Sequence, residues 1–479
     1  MWALLIFLIV CIIIQIFVTY QTGDSKLTGL QHLSVNKPQV FASLQNILES
    51  FSLQSLGGWA GLESLHENRT AYKTVRPDAG HHTEAGEVSP GGPPLPDPEN
   101  KLSLGLSQRT SSAADQTLLH INAPSSTLKP GSTCSPKSHI LFLKTHKTGS
   151  STILNILYRY GESRNLTFAL PVKRQMQLFY PNFFAERFVE GVKSQHVNGF
   201  HIMCNHMRFY KSEVAKVMPA ETFYFSILRH PVAMMESLFS YYKSLLVFRK
   251  SLSLDDFLDS SLRNQTLSVS KNNYAHNNLA FDFGLENNVT ADSNDLEERA
   301  SAAIAAIERD FQLVLISEYF DESIILLKHS LCWSLEDMVF FKLNSRSEGS
   351  RQPLSTTTAE KIKRWNALDW RIYLHFNATF WHRVDSEIGR EQMEGEVNAL
   401  RALQAKQANI CLRDGGAVHP SQVKDARMKP FQSGKAVIQG YNLNPLTDMQ
   451  LQKKCLKLIT PELQYTLLLQ NKQFPDFHL

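Results

Sequence analysis

Residues 144–152, KTHKTGSST, combine side-chain types that bind an anion. Lys144 and Lys147 bring two positive charges within one short segment. Three consecutive hydroxyl groups follow them, on Ser150, Ser151 and Thr152. Ammonium and hydroxyl donors form the charge-assisted hydrogen bonds that hold phosphate or sulfate oxygens. The segment therefore predicts a binding site for a phosphate or a sulfate.

Patterns on either side of this segment predict the elements that position it. Residues 139–143 are a short apolar run of strand length, and residues 153–160 repeat apolar positions at helical spacing, with Gly161 as the expected helix stop. A strand that enters a helix through a turn containing Gly149 aims free backbone N–H groups and the positive end of the helix dipole at one point. Such a helix start binds anions.

The order of residues separates this turn from the phosphate loop of nucleoside triphosphatases and P-loop kinases. That loop reads G-x-x-x-x-G-K-[ST], with its lysine after the second glycine. Here Lys147 precedes Gly149, and the sequence shows no evident magnesium-binding partner. Phosphoryl transfer of the P-loop kinase type is therefore not indicated.

A second anion-binding pair follows a second apolar run. Arg229 ends residues 222–228, and Ser237 lies eight positions further on, in a helix that Pro231 is expected to begin. Two helical turns after a strand end, the serine can converge with the arginine on one anion. The guanidinium fork suits two oxygens of one phosphate.

Two histidines are candidates for proton transfer, since a histidine changes charge near neutral pH. His146 lies inside the lysine-containing segment, where it could also donate to an oxyanion. His206 lies at the polar end of residues 200–210, FHIMCNHMRFY, a pattern typical of a strand that runs into a site. A histidine by itself is more often structural, so these positions need further support.

The chain after Lys137 alternates strand-like and helical runs, which predicts an α/β domain with a mostly parallel central sheet flanked by helices. The clearest strands are residues 139–144, 222–228 and 311–317. Ligands of such sheets bind at the carboxyl ends of the strands. Lys144, Arg229 and Glu318 all fall at these ends.

Several separate motifs resemble those of the galactose 3-O-sulfotransferases of the Golgi. They are FLKTHKTGSSTILNILYRYG, IMCNHMRF, FYFSILR, EYFDES, WNALDWRIYLHFN and QGYN. The resemblance covers about residues 138–475, and it is specific because the motifs occur in the family's order. The sequences of these motifs most resemble the branch that acts on glycoprotein galactose, rather than the branch that acts on galactosylceramide.

The resemblance implies a P-loop-like sulfotransferase fold and a reaction. A sulfuryl group would pass from 3′-phosphoadenosine 5′-phosphosulfate to the 3-hydroxyl of a terminal β-galactose, on glycoprotein glycans or glycolipids, without a metal. The residues that would hold this donor are Lys144, Thr145, Lys147, Thr148, Gly149, Ser150, Ser151, Thr152, Arg229 and Ser237. Lys147 would also stabilise the charge that develops on the departing bisphosphate.

The resemblance also ranks the two histidines. His206 lies 59 positions after Lys147, close to the separation between the loop lysine and the base histidine of 2-O-sulfotransferases and cytosolic sulfotransferases. We therefore expect His206 to take the proton from the acceptor hydroxyl, with His146 as the alternative.

The sequence indicates the acceptor-binding residues less clearly than the donor-binding residues. Residues 272–285, NNYAHNNLAFDFGL, combine amides, an acidic residue and aromatic rings, which suit sugar hydroxyls and the apolar faces of sugars. Packing of Phe281 and Phe283 into the core explains the same segment equally well. Similar residue types occur at four later positions, Trp365, Asn366, Asp369 and Trp370. Their helical spacing favours core packing.

The ends and composition of the 479-residue chain predict a membrane-anchored enzyme. Residues 2–20 carry no charge and are long enough to span a bilayer, with no basic region or cleavage site of a signal peptide. We expect an anchor at 1–20, a flexible stem rich in Ser, Gly, Pro and Thr at 21–136, and a catalytic domain at 137–479. The net charge of +4 is too small for a nucleic-acid binder.

Glycosylation signals and cysteines indicate passage through the secretory lumen. Five Asn-x-Thr sequons occur, at Asn68, Asn165, Asn264, Asn288 and Asn377. They fit a single-pass type II protein of the Golgi membrane with a lumenal catalytic domain. Of six cysteines, Cys11 lies in the expected anchor, so an odd number remains and at least one is free or pairs between chains. No cysteine or histidine spacing suggests a metal site.

A different class of function has to be weighed against catalysis. The lumenal domain would then be a catalytically inactive, sulfotransferase-like lectin that binds sulfated or galactosylated glycans. Lys147, Arg229, Ser237 and His206 argue against it, since a binding protein does not need all four.

Overall fold

The computed structural model describes residues 134–194, 199–264, 272–351 and 353–475. The predicted anchor at 1–20 and the predicted stem up to residue 133 lie outside the described residues. Within those four ranges, no helix has both the length and the apolar character needed to cross a bilayer.

Four parallel strands form the central sheet, in the order β2-β1-β3-β4. They are β1 (Ile140–Leu143), β2 (Ile202–Met203), β3 (Phe223–Leu228) and β4 (Leu313–Ile316). Ile140 pairs with Ile202 on one side and with Phe223 on the other. Every residue of β1, β2 and β4 is buried, as parallel strands covered by helices require. The predicted α/β fold with a parallel sheet is confirmed.

Helices flank this sheet, and the three predicted strands are each followed by one. The helices are α1 (Ser150–Ser163), α2 (Lys211–Val214), α3 (Pro231–Tyr241), α4 (Leu246–Arg249), α5 (Leu254–Asn264), α6 (Asn278–Asp282), α7 (Leu296–Asp310), α8 (Phe320–Leu331), α9 (Thr356–Trp365), α10 (Ala367–Glu387), α11 (Arg390–Cys411), α12 (Met449–Ile459) and α13 (Glu462–Gln473). Pro231 is the first residue of α3, as predicted, because its fixed φ and missing N–H suit that position.

Helix α1 does not stop at Gly161. It continues to Ser163, so the predicted helix stop is wrong. A Cβ atom at Gly161 would lie 2.5 Å from Cζ of Phe168 and 2.8 Å from Cδ1 of Ile202. The glycine therefore serves close packing of α1 against the sheet rather than a turn.

The strand order places a crevice between β1 and β3. From β1 the chain moves to β2 on one side, and it then returns to β3 on the opposite side of β1. Ligands of open α/β sheets bind where the order reverses in this way. Lys144 follows β1 directly and Arg229 follows β3, so both predicted anion-binding residues lie at this crevice.

Two disulfide bonds fix the outer parts of the domain. Cys134 pairs with Cys332 at the end of α8, and Cys411 at the end of α11 pairs with Cys455 in α12. Cys204 is buried and free. This agrees, within the described residues, with the prediction that at least one cysteine outside the anchor is free or pairs between chains.

The described sequons differ in exposure. Asn165 is exposed, just beyond α1, and Asn288 is partly buried, where its Oδ1 accepts a hydrogen bond from Arg299 at 3.1 Å. Asn377 is partly buried within α10. Asn68 and the side chain of Asn264 lie outside the described residues. Glycosylation at all five positions stays a prediction.

Candidate active site

The turn between β1 and α1 has the backbone of an anion-binding loop. Gly149 lies at the N-cap of α1 with a φ of 80°, and Lys147 has a φ of 59°. A Cβ atom at Gly149 would meet the Phe320 ring at 3.2 Å. The N-cap residue has no side chain to accept from the first N–H groups of the helix, and among these groups the Thr152 N–H donates to the Gly149 carbonyl at 3.0 Å.

Several hydroxyls of the loop are engaged in holding it. Thr145 Oγ1 lies 3.0 Å from Thr148 Oγ1, and Ser150 Oγ donates to the Thr145 carbonyl at 2.7 Å. Thr152 Oγ1 accepts a hydrogen bond from the Leu343 backbone N–H at 3.1 Å. These hydrogen bonds hold the shape of the turn.

Lys147 lies among like charges. Burial comes first in lowering its pKa to about 7, followed by the charges of Lys144, Arg346 and Arg229. Its Nζ lies 3.7 Å from the centroid of the Tyr241 ring, and its carbonyl accepts a hydrogen bond from Arg229 Nη1 at 2.9 Å. A surplus of positive charge at one point favours an anionic ligand there.

Ser237 and a buried ion pair lie on the α3 side of the site. Ser237 is buried, and Glu236 beside it forms a two-pronged pair with Arg346, including a contact of 2.9 Å between Nη1 and Oε1. Arg229 and Lys147 lie near enough to Arg346 for its charge to lower the pKa of both. Arg346 comes from the loop between α8 and α9 and was missed by the sequence reasoning, because no local motif marks it.

His206 and Lys144 contact each other twice. His206 Nδ1 lies 2.8 Å from the Lys144 carbonyl, and Nε2 lies 2.8 Å from Lys144 Nζ. Because a carbonyl only accepts, Nδ1 carries the proton and the Nε2 lone pair accepts from the ammonium group. Burial, with the nearby His146 and Lys144, holds the pKa of His206 well below its ordinary value, so this imidazole is neutral.

His146 is oriented by a buried carboxylate. Asp282 Oδ2 accepts from the His146 backbone N–H at 2.9 Å, and Nδ1 of the ring lies 3.0 Å from the same oxygen. The ring stacks on His206, with centroids 4.0 Å apart and planes 10° apart. Nε2 of His146 is buried and has no hydrogen-bond partner among the described residues. The hydrogen-bonding capacity of this atom is therefore unused by the described residues.

Helix α13 brings a carboxylate to the loop. Glu462 Oε2 lies 3.2 Å from Lys144 Nζ and accepts a hydrogen bond from Ser151 Oγ at 2.6 Å. Glu462 thus fixes two of the residues predicted to bind the donor. Sequence reasoning missed it, because 311 positions separate it from Ser151.

The aromatic and amide residues proposed for the acceptor divide between core and site. Trp365, Asn366 and Asp369 are buried, which confirms core packing for them. Asp369 accepts hydrogen bonds from the first N–H groups of α6, at 2.9 Å each. That contact fixes the helix whose last residue, Asp282, holds His146.

These features together form a candidate site for an anionic ligand. A parallel sheet carries a lysine and glycine loop after its first strand, an arginine after a neighbouring strand, and a stacked histidine pair beside both. Within the described residues, no group of three or more His, Cys, Asp or Glu side chains is arranged to hold a metal ion.

Comparisons with known proteins identify the family. A family model described as galactose-3-O-sulfotransferase matches residues 103–473. Human galactose-3-O-sulfotransferase 2 is 50% identical over 345 residues, which cover 71% of this chain and 85% of the relative. Human galactosylceramide sulfotransferase is 38% identical over 372 residues, or 76% and 86% of the two chains. The chain therefore belongs to the galactose-3-O-sulfotransferase family, which confirms the predicted enzyme class.

Proposed function

We propose that this enzyme transfers a sulfuryl group from 3′-phosphoadenosine 5′-phosphosulfate to the 3-hydroxyl of terminal β-galactose on glycoprotein glycans. The observation that carries the proposal is the juxtaposition at the crevice of β1 and β3. An anion-binding loop with Lys147 lies there beside His146, whose Nε2 has no hydrogen-bond partner among the residues described. A sulfuryl donor and a proton acceptor are the two requirements of the reaction.

The donor would be held at its two anionic ends. The loop N–H groups, Lys147 and Ser151 would contact the 5′-phosphosulfate, because they surround one point at the start of α1. Arg229 and Ser237 would hold the 3′-phosphate, with Arg346 adding positive charge nearby. Burial and then the neighbouring positive charges lower the pKa of Lys147, and that cluster of charges supports this assignment.

The reaction needs one proton transfer and one exchange of bonds at sulfur. The acceptor hydroxyl gives its proton to an imidazole nitrogen while its oxygen forms a bond to sulfur. The bond between sulfur and the 5′-phosphate oxygen breaks, and its electron pair leaves with 3′,5′-bisphosphoadenosine. Lys147 and the loop N–H groups stabilise the charge that develops on that oxygen.

The geometry favours His146 over His206 for the proton. No described residue engages Nε2 of His146, and the Asp282 carboxylate would stabilise the imidazolium that forms. The His206 lone pair accepts from Lys144, so His206 can take the proton only after Lys144 turns away, for example toward the bound donor. The sequence separation between Lys147 and His206 instead favours His206 as the base. The two assignments of the base make different kinetic predictions.

Alanine variants of the two histidines distinguish the assignments. The base variant should lose most turnover and the acidic limb of the pH–rate profile while it still binds 3′,5′-bisphosphoadenosine. We expect this result for His146→Ala, and we expect His206→Ala to weaken donor binding because Lys144 loses a partner. The reverse pattern would assign the base to His206.

Lys147→Ala tests the loop in the same assay. Loss of one preorganised donor to the developing charge should lower turnover by about 100-fold to 1,000-fold at saturating donor. Near-normal turnover would remove Lys147 from the reaction. Galactoside binding by a wild-type protein that transfers no sulfate would instead support the lectin alternative.

The proposal places the enzyme in the Golgi lumen, with the anchor at 1–20 in the membrane. The two disulfide bonds support an oxidising compartment. Expression of the full chain in cells tests the topology. We expect the protein to carry glycans that peptide N-glycosidase removes and to co-localise with a Golgi marker. An unglycosylated cytosolic protein would overturn the placement.

A further inference from the structure

Three tyrosines lie close to the ring of His146. The ring centroid of Tyr180 lies 4.6 Å from that of His146, that of Tyr274 lies 5.3 Å away, and that of Tyr242 lies 6.4 Å away. Tyr242 stacks on Tyr274 with centroids 4.1 Å apart. They come from three separate segments, before β2, after α3 and before α6, so the fold assembles them at one place.

Two buried polar atoms at this cluster have no hydrogen-bond partner within the part of the chain that the structure describes. One is Nε2 of His146 and the other is Oδ1 of Asn278, in residues that are each 1% exposed. Nδ2 of Asn278 is engaged, with the Tyr180 hydroxyl at 3.4 Å and the Asn273 carbonyl at 2.6 Å. An unpaired buried polar atom costs about 1 to 3 kcal/mol, and both of these atoms can accept from a hydroxyl group.

The cluster offers neutral hydroxyls rather than positive charge. Burial raises the pKa of Tyr274 to about 12 and holds the pKa values of Tyr180 and Tyr242 well above their ordinary value. All three phenols therefore stay protonated at physiological pH. The nearest carboxylate, Asp282, is engaged by His146. Such a surface suits an uncharged polyol and contrasts with the basic loop beside it.

This cluster differs from ordinary core packing within the same segment. Phe281 and Phe283 are 7% and 5% exposed and belong to the core. Tyr242 and Tyr274 remain partly exposed. Residues 272–285 therefore have one face that packs in the core and another that borders the site. Core packing and acceptor binding, the two explanations of this segment, both apply to it.

We propose that Tyr180, Tyr242, Tyr274 and Asn278 form the subsite for the acceptor sugar. The apolar face of a β-galactopyranoside, made of the C–H groups on C3, C4 and C5, lies against the aromatic rings. Its hydroxyls donate to Oδ1 of Asn278 and to Nε2 of His146. The inference rests on the proposed sulfuryl transfer and names the residues that select its acceptor.

Steady-state kinetics of two variants test the subsite. Tyr274→Ala should raise the KM for a methyl β-galactoside about tenfold at saturating donor, because it removes an aromatic face from the sugar. Tyr274→Phe keeps the ring and should stay within about threefold of wild type. Both should bind 3′,5′-bisphosphoadenosine with unchanged affinity by calorimetry. Tyr210→Ala is the matched control, since Tyr210 is 51% exposed and lies outside the cluster.

An unchanged KM in a folded Tyr274→Ala enzyme would overturn the subsite. Saturation-transfer NMR on the wild-type protein provides a second measurement that needs no variant. With 3′,5′-bisphosphoadenosine bound, irradiation of aromatic protons should saturate the sugar protons on C3, C4 and C5 most strongly. Uniform or absent saturation during active turnover contradicts the subsite alone, whereas saturation without any sulfate transfer contradicts the proposed reaction and leaves a sugar site.

Discussion

The low pKa of Lys147 makes donor affinity dependent on pH. Its value of about 7 in the unliganded protein arises from burial and from the charges of Lys144, Arg346 and Arg229. A bound anionic donor favours the protonated lysine, so the pKa rises in the complex. Below pH 7 the lysine is already protonated and affinity is full. Above pH 7 each pH unit should weaken binding by about tenfold, or ~1.4 kcal/mol, until the pKa of the complex is reached.

Calorimetry with 3′,5′-bisphosphoadenosine measures this linkage directly. At pH 8 only about one tenth of Lys147 is protonated in the free protein, so binding should take up about 0.9 proton, seen in buffers of different ionisation enthalpy. The second ionisations of the ligand's 3′- and 5′-phosphates both occur near pH 6, so proton uptake at pH 8 to 9 reports mainly on the protein group.

Lys147→Arg is the matched control for this prediction. The guanidinium stays charged throughout this range, so the pH dependence and the proton uptake should both vanish. Wild-type affinity that is constant from pH 7 to 9, with no proton uptake, would refute the electrostatic account of the loop.

Three further changes have distinct expected effects. Arg229→Ala should weaken bisphosphoadenosine binding by about 2 kcal/mol, measured by calorimetry, and an unchanged affinity would remove Arg229 from the donor site. Gly161→Ala should destabilise the domain by about 1 to 3 kcal/mol in denaturant unfolding, because its Cβ meets Phe168 at 2.5 Å; full stability would show that α1 can shift freely. Asp282→Asn should lower turnover and alter the acidic limb of the pH–rate profile with donor affinity retained; an unaltered profile would make Asp282 purely structural.

Local patterns carried the prediction of the anion-binding turn. An apolar strand, a glycine in the left-handed region and a helix start lie within one short stretch, so hydrophobic periodicity and turn chemistry suffice. The same local reasoning failed at Gly161, where close packing against Phe168 and Ile202 decides the residue type. That contact depends on how α1 lies against the sheet, which periodicity does not report.

The groups that complete the site come from distant parts of the chain. Asp282 lies 136 positions after His146, and Glu462 lies 311 positions after Ser151. Glu462 belongs to no motif in the sequence, and Asp282 was a candidate only for acceptor binding, so the tertiary fold alone brings both carboxylates to the loop. The two histidines were found by motif and spacing, but their tautomers depend on the Lys144 carbonyl and on Asp282, which only the tertiary structure pairs with them.

The position of the transferred sulfate tests the central claim most directly. Purified full-length protein in detergent would be incubated with sulfur-labelled 3′-phosphoadenosine 5′-phosphosulfate and a panel of β-galactosides from glycoproteins and glycolipids, with Lys147→Ala as the matched control. NMR of the labelled product should place the sulfate on C3 of terminal galactose, with the faster rates on glycoprotein-type glycans. Sulfate on another hydroxyl, or no transfer above the Lys147→Ala background, would contradict it.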